Sequence, residues 1–257
     1  MEKRSEAFLR LLDIMDNLRD KCPWDKKQTM DTLSYLTIEE TYELVDAISD
    51  KNLNEIKGEL GDLLLHIVFY SKIASETNDF DITDVIHTVC DKLVERHPHI
   101  YGDIVAQTED EVKANWEKIK LKKGKKSVLE GVPRSLPAMV KATRIQEKAR
   151  GVGFDWEKRE QVFEKVLEEF NELEKEINKK NDKSNIEKEF GDVLFSMINY
   201  ARFIDIDPEL ALERTNKKFI GRFNYLEEEV KRLKKNLSEM SLVEMDKIWD
   251  ESKQQFP

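Results

Sequence analysis

Apolar residues recur at three- and four-residue intervals through most of the chain, the rhythm of amphipathic helices rather than the alternation of strands. The rhythm predicts helices over residues 5–20, 29–50, 52–76, 82–97 and 108–122, and again over 137–150, 158–180, 184–204, 208–235 and 241–254. Several starts carry capping signals. Asn52 with Glu55, Thr108 with Glu111, Ser184 with Glu187 and Ser241 with Glu244 have capping-box spacing, and Asp207-Pro208 reads as an N-cap followed by proline at the first helical position. Between the two series, KKGKKSVLEGVPRSLP from Lys122 to Pro137 loses the period and gathers Gly, Pro and Ser, as linkers do. The expected fold is all-α: two helical-bundle domains, residues 1–122 and 137–257, joined by a linker over 123–136, each domain holding four or five helices.

One apolar stripe is unusual. Leu33, Leu36, Leu44, Ala47 and Ile48 share a helix face, and Glu40 and Glu43 project from within it. The next helix, ELGDLLLHIVFY, is apolar almost all round and is expected to be buried, so its Glu59 and Asp62 cannot both face open water.

The pattern then repeats. Glu39-Glu40-Thr-Tyr-Glu43 is followed by Glu59-Leu-Gly-Asp62, and Glu168-Glu169-Phe-Asn-Glu172 by Glu189-Phe-Gly-Asp192. Lys92 and Arg96 stand four apart downstream of the first set, as Lys218 and Arg222 do downstream of the second. Trp24 and Trp156 precede the acids, and Trp116 and Trp249 fall in the last predicted helix of each half. Duplication of one all-α unit is the simplest account.

Composition narrows the partners. The formal charge is −10 and basic residues are interspersed with acids, so no face forms a track for polymeric nucleic acid. Two cysteines, Cys22 and Cys90, build neither a disulfide framework nor a zinc site. The N-terminus lacks the uninterrupted apolar run of a signal peptide, and no stretch is apolar for the roughly 18 residues of a membrane span. A cytoplasmic protein without a membrane partner is expected.

Spacing of three puts each acidic pair on one helix face. If two antiparallel helices oppose such pairs, four carboxylates converge where ionisation is costly unless a cation offsets them. Hard oxygen donors without Cys or a repeated His suit Mg²⁺ or Mn²⁺, which usually takes remaining ligands from water and substrate phosphate. Lys218 and Arg222 can hold phosphates by charge and by the guanidinium fork.

The pattern Glu-Glu-x-x-Glu followed by Glu-x-Gly-Asp resembles the signature of the MazG-type nucleoside triphosphate pyrophosphohydrolases. The resemblance includes Cys22-Pro-Trp-Asp25, Gly153-Phe-Asp-Trp156, Arg96-His-Pro-His-Ile-Tyr-Gly102 and Glu130-Gly-Val-Pro-Arg-Ser-Leu-Pro137, and spans nearly the whole chain. It implies Mg²⁺-dependent hydrolysis of nucleoside triphosphates between the α and β phosphates, broad base tolerance, a role in clearing unwanted nucleotides, and a homodimer or higher assembly. By position, Glu40, Glu43, Glu59 and Asp62 would ligate metal in one site and Glu169, Glu172, Glu189 and Asp192 in the other. Lys165, Lys218, Arg222 and Trp249 would contact substrate, with Lys92, Arg96 and Trp116 as first-half counterparts. The expected mechanism is metal-assisted in-line attack of water on the α-phosphorus, with Glu168 and Glu39 polarising that water or supporting the ligands.

The halves differ. Leu36 occupies the register of Lys165, and Cys90 stands where Asn216 does, so the second site is expected to be the more active. His66 has Ser196 as counterpart and reads as a buried polar residue; His97 and His99 read as capping residues. A non-catalytic nucleotide- or protein-binding scaffold is the alternative, and a di-iron bundle is disfavoured because Glu-x-x-Asp replaces Glu-x-x-His.

Overall fold

The computed structural model describes residues 2–105, 108, 111, 112, 115, 116, 119, 127–179 and 182–256. All extended regular structure among them is helical: α1 (Glu2–Lys21), α2 (Met30–Ser49), α3 (Leu53–Ser75), α4 (Ile82–Arg96), α5 (Pro98–Tyr101), α6 (Ala138–Arg150), α7 (Arg159–Asn178), α8 (Lys183–Phe203), α9 (Pro208–Arg232) and α10 (Leu242–Ser252). Short 3₁₀ turns cover Asp25–Lys27 and Leu237–Glu239. The chain divides into two compact units, Met1–Val112 and Lys113–Pro257. Most of the helix expected over 108–122, and linker residues 123–126, lie outside the described residues.

Caps explain where the helices begin. Ser241 and Glu244 exchange both arms of a capping box, Asp207 accepts from the Leu210 N–H at 3.0 Å with Pro208 behind it, and Thr108 and Glu111 bond reciprocally at 3.3 and 3.2 Å. Asn52 caps α3 by accepting from the Asn54 and Glu55 N–H groups. Ser184 is not a cap: α8 opens one residue earlier, with Asp182 at the N-cap position and no side-chain bond to the backbone. Four-residue α5 is too short to show a helical period, which is why the hydrophobic pattern misses it.

In the first unit Met15, Leu33, Val68 and Phe69 form the buried centre, with Leu36, Leu65, Tyr70 and Ile73 packed around it. Thr37 on α2 meets His66 and Tyr70 on α3 at 2.9 and 2.7 Å, while Glu43 near the other end of α2 meets Glu59 near the start of α3. These pairings make α2 and α3 antiparallel. In the second unit the Phe163 and Tyr200 rings meet at a tilt, 5.2 Å between centroids, and Glu172 meets Glu189, so α7 and α8 are antiparallel in the same sense. Leu226, Val230 and Ile248 join α9 to α10 in a further cluster.

The expectation of a fully buried α3 does not hold for the chain by itself. His66, Val68 and Phe69 are buried, yet Leu60, Leu64 and Ile67 are exposed, and α8 likewise exposes Phe190, Leu194 and Met197. An all-round apolar sequence records two faces, and among the described residues only one is covered. Ile48 also lies outside the core, at half exposure.

Candidate active site

Each antiparallel pair brings its glutamates together. One carboxylate oxygen from each of Glu40, Glu43 and Glu59 lies within 4.8 Å of the others, and the same holds for Glu169, Glu172 and Glu189. The i and i+3 positions of one helix supply two acids and the facing helix supplies the third. Asp62 stands outside its triad yet close enough that its charge helps raise Glu40 and Glu59 above the usual carboxylate range. For both groups loss of hydration is the first cause; Asp62 follows for Glu40 and Glu43 for Glu59. Asp192 likewise falls outside its triad and lines a neighbouring cavity.

The donor chemistry fits a hard divalent cation. All triad donors are carboxylate oxygens, and Glu59 Oε2 is buried without a hydrogen-bond partner, an acceptor that a cation would satisfy. In the second unit part of the balancing charge is built in. Lys165 Nζ lies 2.7 Å from Glu169 and 3.0 Å from Glu168, one turn away. Those bonds, Glu169 first, raise the Lys165 pKa above its ordinary value and keep it charged. Glu168 and Glu39 are exposed beside their triads.

Other expected residues form a separate group. Arg222 Nε donates to the Phe256 carbonyl at 2.9 Å, and its guanidinium sits over the Trp249 ring at 6.0 Å. Phe219 packs against Trp249 at 5.1 Å. Gly221 makes this possible, since a Cβ there would stand 2.7 Å from the Phe256 ring. Lys218 is exposed, and among the described residues no ion pair joins Lys218 or Arg222 to the acids. The same is true of Lys92 and Arg96 on α4, a helix that buries none of its residues. Trp116 lies in the residue range of the second unit.

A cavity of about 500 Å³ opens beside the second triad and includes Lys165, Glu169 and Asp192 in its wall. Three helices and two connecting segments build it. Lys148, 3% exposed, donates to the carbonyls of Val128 and Glu130 at 3.0 and 3.4 Å and so holds the segment before α6 against it. Arg202 grips Asp155 through two bonds of 2.9 and 2.6 Å, which fixes the turn carrying Trp156. Gly153 turns that connection with φ +85, a conformation that disfavours side chains. Thus Gly-Phe-Asp-Trp is a turn whose Asp is an anchor. In the first unit Arg19 anchors the corresponding turn, donating to the Asp25 and Gln28 carbonyls and pairing with Glu76.

Aligning the triads shows how the units diverge. Leu33, Leu36 and Phe69 occupy the registers of Val162, Lys165 and Asn199. In the first unit they pack into the core with Met15, whereas Val162, Lys165 and Asn199 line the cavity. Sequence reasoning finds Lys165 from its turn-apart register but misses Gln146, Asn199 and Arg202. Those lie in ordinary amphipathic helices, and nothing in their spacing marks them.

Comparison with known proteins adds a family. The family model for the MazG nucleotide pyrophosphohydrolase domain matches twice, at residues 28–101 and 157–227. The chain is 41% identical over 254 residues to "Nucleoside triphosphate pyrophosphohydrolase" of Escherichia coli (strain K12), covering 96% of this chain and 97% of that one. It is 42% identical over 258 residues to "Nucleoside triphosphate pyrophosphohydrolase/pyrophosphatase MazG" of Thermotoga maritima, covering 98% of each. It is also 45% identical over 236 residues to "Uncharacterized protein YabN" of Bacillus subtilis, covering 91% of this chain and 48% of that one.

Proposed function

The chain belongs to the MazG nucleotide pyrophosphohydrolase family and is a nucleoside triphosphate pyrophosphohydrolase, and from that premise we propose that the second unit carries the working site. The observation supporting this reading is the position of Lys165, bonded to Glu169 at the edge of a cavity large enough for a nucleoside, where the first unit has a leucine in a packed core.

In this reading Glu169, Glu172 and Glu189, with Asp192 beside them, hold Mg²⁺, or Mn²⁺ in its place. The ion supplies charge neutralisation for the triphosphate and lowers the cost of presenting a nucleophilic water. The chain's own residues do the rest. Lys165 offers an ammonium to a phosphate oxygen as it exchanges partners with Glu168. Glu168, once released, is an exposed carboxylate one residue from the ligand set, placed to accept a proton from the attacking water. Water adds at the α-phosphorus, the bond from that phosphorus to the bridging oxygen breaks, and pyrophosphate leaves, giving nucleoside monophosphate.

Lys218 and Arg222, the latter beside Trp249, are a second phosphate-binding group. A homodimer covering Phe190, Leu194 and Met197 on α8 accounts for that exposed apolar strip. Glu40, Glu43 and Glu59 of the first unit would hold a second divalent ion. No helix among the described residues is long and apolar enough to cross a membrane.

Incubating the protein with a panel of triphosphates, with and without Mg²⁺, tests the reading. Monophosphate and pyrophosphate should form only with the metal. Turnover that persists in excess chelator would rule out the proposed role of the triad.

A further inference from the structure

The cavity beside Lys165 and Glu169 carries more than a place for an apolar ring. Gln146, on α6 and 7% exposed, donates from Nε2 to the Phe195 carbonyl at 2.9 Å. A carbonyl can accept only from the amide nitrogen, so this bond fixes which end of the side chain faces away. Gln146 lines the same cavity, and the other end of its amide, Oε1, is buried and has no hydrogen-bond partner. A buried amide oxygen left unpaired is costly, and a site built this way discriminates against ligands that lack a donor.

Its surroundings define that ligand. Trp156, Phe154 and Phe195 supply aromatic surface along the cavity wall. Asn199 accepts from Arg202 at Oδ1, with Nε at 3.2 Å and Nη2 at 2.7 Å, and so keeps its amide N–H groups for other partners. The same wall holds Glu169 of the acidic triad, with Lys165 bonded to it, and Asp192. A planar ring carrying an N–H donor next to an acceptor, attached to an anionic chain, matches these features together.

We infer that the cavity receives the nucleobase and that Gln146 is the specificity-determining residue, its Oε1 requiring an N–H donor on the base. The inference rests on the second unit being the working site. It would give broad tolerance with a defined limit: adenine and cytosine offer an amino group, guanine an amino group and a ring N–H, and uracil and thymine a ring N–H. A purine ring without any such donor should be rejected.

The test compares ATP with purine riboside triphosphate, in which hydrogen replaces the 6-amino group, by pyrophosphate release from the intact protein. Wild type should favour ATP in kcat/KM by at least about tenfold. Gln146→Met, with folding checked by circular dichroism, should bring the ratio to within about twofold. Equal kcat/KM for the two substrates in wild type would overturn the inference, and needs no variant. So would an undiminished preference in Gln146→Met. Failure of the protein to release pyrophosphate from either substrate would instead sink the catalytic reading on which the inference rests.

Discussion

Lys165 Nζ lies 2.7 Å from a carboxylate oxygen of Glu169, whose side chain is only 10% exposed, and the same register in the first unit holds Leu36. One lysine thereby separates an acidic triad with a resident counter-charge from one without. Replacing it with methionine keeps the stem and removes the ammonium. Lys165→Met should lower kcat/KM for ATP by about ten- to a hundredfold, since charge-assisted bonds to phosphate are lost. It should also lower the melting temperature in chelator by more than in Mg²⁺, because the ion then supplies the missing charge. Steady-state kinetics and thermal melts in both conditions check the two outcomes.

The two triads should not be equivalent in turnover. Glu172→Ala removes a carboxylate beside the open cavity and should reduce kcat by about a hundredfold or more, the scale seen when a charge-stabilising group is lost. Glu43→Ala removes its counterpart beside a packed core and should change kcat by less than about threefold. Pyrophosphate release by the two single variants decides the matter.

The first triad gives a pH signature. Glu40 and Glu59 have pKa values raised by lost hydration and by neighbouring acids. Groups raised in the fold favour the folded state while protonated, so their contribution is largest below the ordinary carboxylate range and falls as pH rises through their folded values. A divalent ion reverses that loss. The gain in melting temperature on adding Mg²⁺ should therefore be larger at pH 8 than at pH 4.5, and Glu59→Gln should raise the metal-free melting temperature at pH 8 while reducing the gain. Differential scanning fluorimetry across pH reads both effects.

The Asp155–Arg202 pair is a support rather than a participant. Its two bonds are largely shielded, with side chains 18% and 12% exposed. Breaking such a pair leaves a poorly hydrated charge and costs about 3 kcal/mol. Asp155→Ala and Arg202→Ala should each lose roughly that much in urea unfolding, and the double variant should lose much less than their sum. Each single variant should also raise KM, because the turn carrying Trp156 forms one wall of the cavity.

Much of the helical layout is legible in the sequence because amphipathic periods, caps and prolines are local signals. Glu40 and Glu43 stand out because they interrupt an apolar stripe, and their recurrence at Glu169 and Glu172 identifies the register in which Leu36 replaces Lys165. The cavity is not legible, since its walls come from α6, α7, α8 and the segments around Leu129 and Trp156, which meet only in the folded unit. Gln146 looks like any polar residue on a helix until its nitrogen is seen bonded to the Phe195 carbonyl. The apolar breadth of α3 and α8 misleads in the other direction, because hydrophobicity alone does not say which molecule covers a face.

Hydrolysing ATP with Mg²⁺ in ¹⁸O-labelled water tests the proposed mechanism most directly. The account predicts that mass spectrometry of the products finds the heavy oxygen in the monophosphate, with unlabelled pyrophosphate, and that Glu172→Ala nearly abolishes this product. Label in pyrophosphate or orthophosphate would place the attack on another phosphorus and contradict it.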